Sequence, residues 1–60
     1  MNDKIRLVYL DEDAGWQSQA RAVLKNEFQL HIPESMPQKI EDIWREICEF
    51  DAQAVLIDYR

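Results

Sequence analysis

Between residues 5 and 58 the hydrophobic period of the chain changes four times, and that alternation limits the possible folds more than any other feature. Residues 5 to 10, IRLVYL, form a run rich in β-branched and aromatic residues that stops at Asp11, Glu12 and Asp13, the pattern of a buried strand that delivers a polar loop. Trp16, Ala20, Val23 and Leu24 then recur at i, i+4, i+7 and i+8, which predicts a helix over about 14–26, with Asp13 as its N-cap and Ala14-Gly15 in the turn. Phe28-Gln29-Leu30-His31-Ile32 alternates with period two before Pro33, so a strand with one wetter face is expected at 28–32. Ser35-Met36-Pro37-Gln38 has the S-x-x-Q spacing of a capping box, and Ile40, Ile43, Trp44 and Ile47 continue as a helical stripe, predicting a second helix over about 36–49. Ala54-Val55-Leu56-Ile57 is a continuous apolar run of the kind found in strands covered on both faces, and it ends at Asp58.

Strands that alternate with helices imply a parallel sheet with right-handed crossovers. If the half-wet second strand is an edge, the first strand lies between it and the third. The sheet order is then 2-1-3, the helices take opposite faces, and strands one and three are covered on both sides. The expected architecture is α/β and flavodoxin-like, a βαβαβ half of a doubly wound sheet in one unit spanning residues 1–60.

Sixty residues bury only about 60% of the surface that the unfolded chain exposes, so the core is small. One cysteine, Cys48, leaves no internal disulfide to compensate, and a reducing, cytoplasmic setting is the expectation. No apolar run approaches the ~20 residues of a membrane span. Twelve acids against seven bases give a net charge of −5, which argues against nucleic acid and anionic membranes as partners and for cations or basic protein surfaces.

In open parallel sheets the binding crevice lies beyond the carboxyl ends of the strands, where the strand order reverses. For order 2-1-3 that point falls between strands one and three. Asp11, Glu12 and Asp13 end one of them and Asp58 ends the other. Two carboxylates about 4 Å apart repel by roughly 4 kcal/mol at an effective dielectric near 20, so one takes up a proton or the group shares a cation. Oxygen donors favour a hard ion, and Mg²⁺ is the expected one because it keeps several waters and needs only one or two carboxylates. Acids also follow strands simply because strands end at the surface, and Asp13 has a sufficient role as a cap.

With LVYLDED followed by an amphipathic helix, and VLID closing the third strand, the chain resembles the N-terminal half of a response-regulator receiver domain (CheY-like). The likeness runs from strand one to strand three. It implies a phosphoacceptor module of two-component, phosphorelay signalling rather than an enzyme, with a histidine kinase or phosphotransfer protein as partner. It further implies that Asp58 accepts the phosphoryl group, that Asp11 and Glu12 hold Mg²⁺ together with Asp58, and that the backbone carbonyl of Arg60 completes the metal shell. Receivers also use a Ser or Thr after a fourth strand and a Lys after a fifth, and the sequence contains neither element. The third strand is therefore expected to carry an unpaired apolar edge, so that the isolated chain self-associates through it or folds poorly.

Two rival readings follow from the same residues. Asp11-x-Asp13 resembles the D-x-D of haloacid-dehalogenase-like phosphatases, which would make Asp11 the nucleophile, although Ala14-Gly15-Trp16 lacks the small hydroxyl residue expected next. Alternatively the chain is a degenerate receiver that serves only as a protein-interaction module. Among the other residues, His31 is expected to be a solvated imidazole, Cys48 a packing residue and Trp44 part of the core. Trp16 lies beside the crevice. Lys39, Glu41, Asp42, Arg45, Glu46 and Glu49 form the expected solvated face of helix two, with Asp42/Glu46 and Glu41/Arg45 at i, i+4 spacing.

Overall fold

The structure, a computed structural model, describes residues 4 to 58. Its elements run β1 (Ile5–Asp11), α1 (Ala14–Leu24), β2 (Phe28–His31), α2 (Ile40–Phe50) and β3 (Ala54–Asp58). All pairing is parallel and the order is β2-β1-β3, the half flavodoxin-like α/β arrangement expected from the alternation. Ile5 to Val8 lie in register with Phe28 to His31, and Leu7 to Asp11 with Ala54 to Asp58. No helix among the described residues is long and apolar enough to cross a membrane.

β1 is the core. Leu7, Val8, Tyr9 and Leu10 are its buried apolar residues, and Asp11 is buried with them. Successive side chains of a strand point to opposite faces, so burial of five consecutive residues requires cover on both sides of the sheet, and both helices pack against β1. Gln17, Ala20 and Leu24 are half-buried on α1, as are Ile43, Ile47 and Phe50 on α2. Val23, Ile40 and Trp44 face solvent instead.

β3 departs from expectation. Val55, Leu56 and Ile57 are 36%, 48% and 39% exposed, whereas their register partners Val8, Tyr9 and Leu10 are 0%, 6% and 1% exposed. The position of α2 accounts for the difference on one face of the sheet. Phe50 stacks on His31 with ring centroids 5.1 Å apart, and Glu46 Oε2 lies 2.7 Å from His31 Nε2. His31 is in register with Val8, so these contacts hold α2 over β1 and β2 and leave the outer strand open. They also correct the expectation for His31, which is a packed and hydrogen-bonded ring rather than a solvated one. Trp44, at 65% exposure, is not core, and Cys48 is exposed rather than a packing residue. Arg45 lies 3.6 Å from Asp42 rather than pairing with Glu41, and Glu46 turns toward the sheet.

The helix ends follow local chemistry. Asp13 is the N-cap of α1, its Oδ1 accepting from the backbone N–H groups of Gly15 and Trp16 at 2.8 and 3.2 Å. A side chain at residue 15 would bring its Cβ to 3.1 Å from that oxygen, which favours the glycine found there. The capping box anticipated at Ser35 does not form. α2 begins at Ile40 with Lys39 at its N-cap, and Gln38 donates to the Met36 carbonyl at 3.3 Å instead of reaching back to Ser35. Pro37 holds Met36 out of the helical region and delays the start. At the other end Asp51 adopts φ 57°, ψ 48°, and the N–H of Ala52 donates to the Ile47 carbonyl at 2.9 Å, a Schellman stop. Arg6 of β1 donates to the Asp51 carbonyl at 2.7 Å and pairs with its carboxylate at 3.1 Å. The backbone N–H of Gln53 donates to the Arg6 carbonyl at 2.8 Å, which sets β3 in register.

Candidate functional site

The site is built where β1 and β3 end together. Asp11 and Asp58 are register partners on adjacent parallel strands, 47 positions apart in sequence, and partners in a parallel pair project to the same face. At the reversal of strand order each of the two adjacent strand ends therefore carries a carboxylate on the same face of the sheet.

The two acids sit in different surroundings. Asp11 is 1% exposed and tightly held, with Oδ2 accepting from the Tyr9 hydroxyl at 2.6 Å and Oδ1 from the Asp13 backbone N–H at 3.0 Å. Its backbone carbonyl accepts from Gln17 Nε2 of α1 at 2.6 Å, which ties the end of β1 to the helix that follows. Asp58 is half-exposed at the rim. Glu12 is exposed in the bend after β1, and Asp13 is engaged as a cap. Arg60, the fourth expected metal contact, lies outside the described residues.

Tyr9 and Gln17 are the site residues that a reading of the sequence missed. Strand parity carries the signal for Tyr9, because residues i and i+2 share a face and a tyrosine two places before a buried carboxylate can reach it. Gln17 carries no such signal. It stands among the polar residues of an amphipathic helix, and only the angle at which α1 leaves the Asp13 cap brings it under the Asp11 carbonyl.

The fit to a divalent cation can be judged on the donors. Asp11 and Asp58 offer only oxygen, which suits a hard ion. Among the described residues no group of three or more His, Cys, Asp or Glu side chains converges as a ligand set. Mg²⁺ requires fewer, since it takes one or two carboxylates and fills its shell with water. Both Asp11 oxygens accept hydrogen bonds, from the Tyr9 hydroxyl and the Asp13 backbone N–H, which fixes the direction in which the carboxylate points. Asp11 and Asp58 thus match Mg²⁺ in donor type and in number of carboxylates.

The chain matches no family model, no curated protein and no solved structure.

Proposed function

We propose that this chain is the phosphoacceptor portion of a receiver module in two-component signalling, with Asp58 as acceptor and with Asp11, Glu12, Asp58 and the Arg60 carbonyl as the Mg²⁺ shell. The observation that carries the reading is the register of Asp11 with Asp58 at the carboxyl ends of β1 and β3 in a sheet of order β2-β1-β3. The difference between the two acids supports the division of roles. Asp11, buried and clamped through both oxygens, suits a fixed ligand, whereas Asp58 at the rim suits attack on an incoming phosphoryl group. The same difference weighs against Asp11 as a phosphatase-type nucleophile, and Asp13, engaged by two backbone N–H groups, is poorly placed as its acid-base partner.

In the proposed reaction a carboxylate oxygen of Asp58 attacks phosphorus in line. The new O–P bond forms as the P–N bond of a donor phosphohistidine breaks, and the imidazole nitrogen keeps the electron pair. Bound Mg²⁺ would supply charge neutralisation on the phosphoryl oxygens and the acceptor carboxylate. The strand register holds Asp58 beside Asp11, and Tyr9 and Asp13 fix the Asp11 rotamer. The chain is then an acceptor rather than a catalyst, its donor a histidine kinase or phosphotransfer protein, and its setting cytoplasmic. Self-association through β3 belongs to the same reading, supported by the exposure of Val55, Leu56 and Ile57 on an outer strand.

The test is incubation with Mg²⁺ and an acyl phosphate, followed by intact mass and peptide mapping. A phosphoryl adduct at Asp58 that is lost in Asp58→Asn is expected. An adduct at Asp11 would favour the phosphatase-type reading, and no adduct would leave an interaction module. Binding is read separately, in a Trp44→Phe background, from Trp16 fluorescence. Millimolar Mg²⁺ is expected to change the emission, and Asp11→Ala to abolish the change.

A further inference from the structure

The two edges of the sheet differ in charge as well as in cover. Along the outer side of β2 lies a groove of about 680 Å³ whose lining follows residues 28 to 32 without a break. Phe28, Leu30 and Ile32, all half-buried, give it an apolar floor. Lys4, Arg21 and Lys25 border it and no Asp or Glu does, in a chain of net charge −5 with only seven Lys and Arg in all. Nearly half of the protein's cations thus stand around one groove. Arg21 and Lys25 belong to the C-terminal end of α1, where the helix dipole favours positive charge, and Lys4 reaches across from the start of β1 to the Lys25 carbonyl at 3.4 Å.

β2 pairs with β1 alone, so the side of its backbone away from β1 has no strand partner among the described residues. Proteins often guard such an edge with lysine on the edge strand itself. Here the strand is Phe-Gln-Leu-His, followed by Ile32, and carries no Lys, Arg, Asp or Glu. The cations flank the edge and leave it open. An uncharged strand edge, an apolar floor and a border of one sign together define the chemistry of an occupant: extended backbone to complete the ladder, with acidic side chains to meet the border.

We propose that this groove binds an extended acidic peptide segment of a partner protein, which adds to the free edge of β2 as a fourth strand. Main-chain hydrogen bonds to residues 28 to 32 supply affinity, apolar side chains of the peptide meet the Phe28 and Leu30 floor, and acidic ones reach Lys4, Arg21 and Lys25. The inference stands apart from the phosphoacceptor reading, since the groove follows the opposite edge of the sheet from β3.

The probe is a fluorescein-labelled octapeptide of alternating valine and glutamate, titrated by anisotropy into the full 60-residue chain. Three controls accompany it: a peptide with lysine in place of glutamate, a peptide with proline at two central positions, and the same composition as free amino acids in competition. Binding of the acidic peptide is expected, weakened about tenfold by Arg21→Glu together with Lys25→Glu. Arg21, in the last turn of α1, and Lys25, its C-cap, are both exposed, and circular dichroism of the double variant should match the parent. Amide exchange at residues 28 to 32 is expected to slow on binding. Equal affinity for the proline peptide would mean adhesion of an anion without strand addition and would overturn the proposal. So would competition by free glutamate, equal affinity for the lysine peptide, an unaffected double variant, or no binding at all.

Discussion

β1 and β3 are made of similar material and have opposite fates. Leu7, Val8, Tyr9 and Leu10 are buried, while Val55, Leu56 and Ile57, in register with the last three of these, stand more than a third exposed. A continuous apolar run states that a strand can be covered on both faces, not that it is. Burial depends on where the strand lies and on what crosses it. β1 has a strand on either side and a helix against each face. β3 has one neighbour, and α2, drawn toward His31 by Phe50 and Glu46, passes it by.

The widest test of this contrast replaces the same residue type in both strands. Leu10→Ala opens a cavity in the buried strand and is expected to cost about 2–5 kcal/mol, a large part of the roughly 3–9 kcal/mol that a chain of this length can have. Leu56→Ala, at 48% exposure, should cost less than about 1 kcal/mol. Urea melts at low protein concentration would measure both. Equal losses would mean that β3 is covered in solution and would break the comparison.

The end of β1 supplies the next test. Tyr9→Phe removes the hydroxyl that donates to Asp11 Oδ2 and leaves a buried carboxylate with one donor fewer, at an expected cost of about 1–3 kcal/mol. A loss near zero would mean that water replaces the hydroxyl, and that the end of β1 is as open as that of β3.

How much of this was legible beforehand differs by distance along the chain. The five elements, their order and the Asp13 cap follow from local period and residue type, and the pairing of Asp11 with Asp58 follows from topology alone. What stayed hidden depends on contacts between elements. His31 looked solvated because the sequence shows only the polar side of an edge strand, not the helix that returns over it. Ser35 looked like a cap because its spacing to Gln38 is right, but Pro37 sets the backbone first. The exposure of Trp44 and Cys48 has the same origin: a helical stripe wider than the surface it rests on leaves one flank in water.

Self-association sharpens the contrast further. If the open flank of β3 pairs with another copy, Leu56→Lys should weaken dimerisation about tenfold or more, roughly 1.4 kcal/mol, with little effect on the stability of the monomer. Sedimentation velocity over a concentration series reads the first and urea melts at low concentration read the second. A parent chain that stays monomeric throughout would remove β3 as an interface.

The smallest expected effect concerns what ties the two strands together. Arg6 of β1 meets Asp51, just before β3, through a side-chain pair at 3.1 Å, but the Asp51 side chain is 88% exposed, and such pairs contribute about 0–1 kcal/mol. Asp51→Asn keeps a residue that tolerates the left-handed backbone at φ 57° and discards only the charge. It leaves in place the Arg6 bond to the Asp51 carbonyl and the Gln53 to Arg6 backbone bond, neither of which needs the carboxylate. The expected change is therefore within about 0.5 kcal/mol, measured as a shift in urea midpoint at low ionic strength and repeated in high salt. A larger loss that salt abolishes would show that charge, and not backbone register, holds the exposed strand to the buried one.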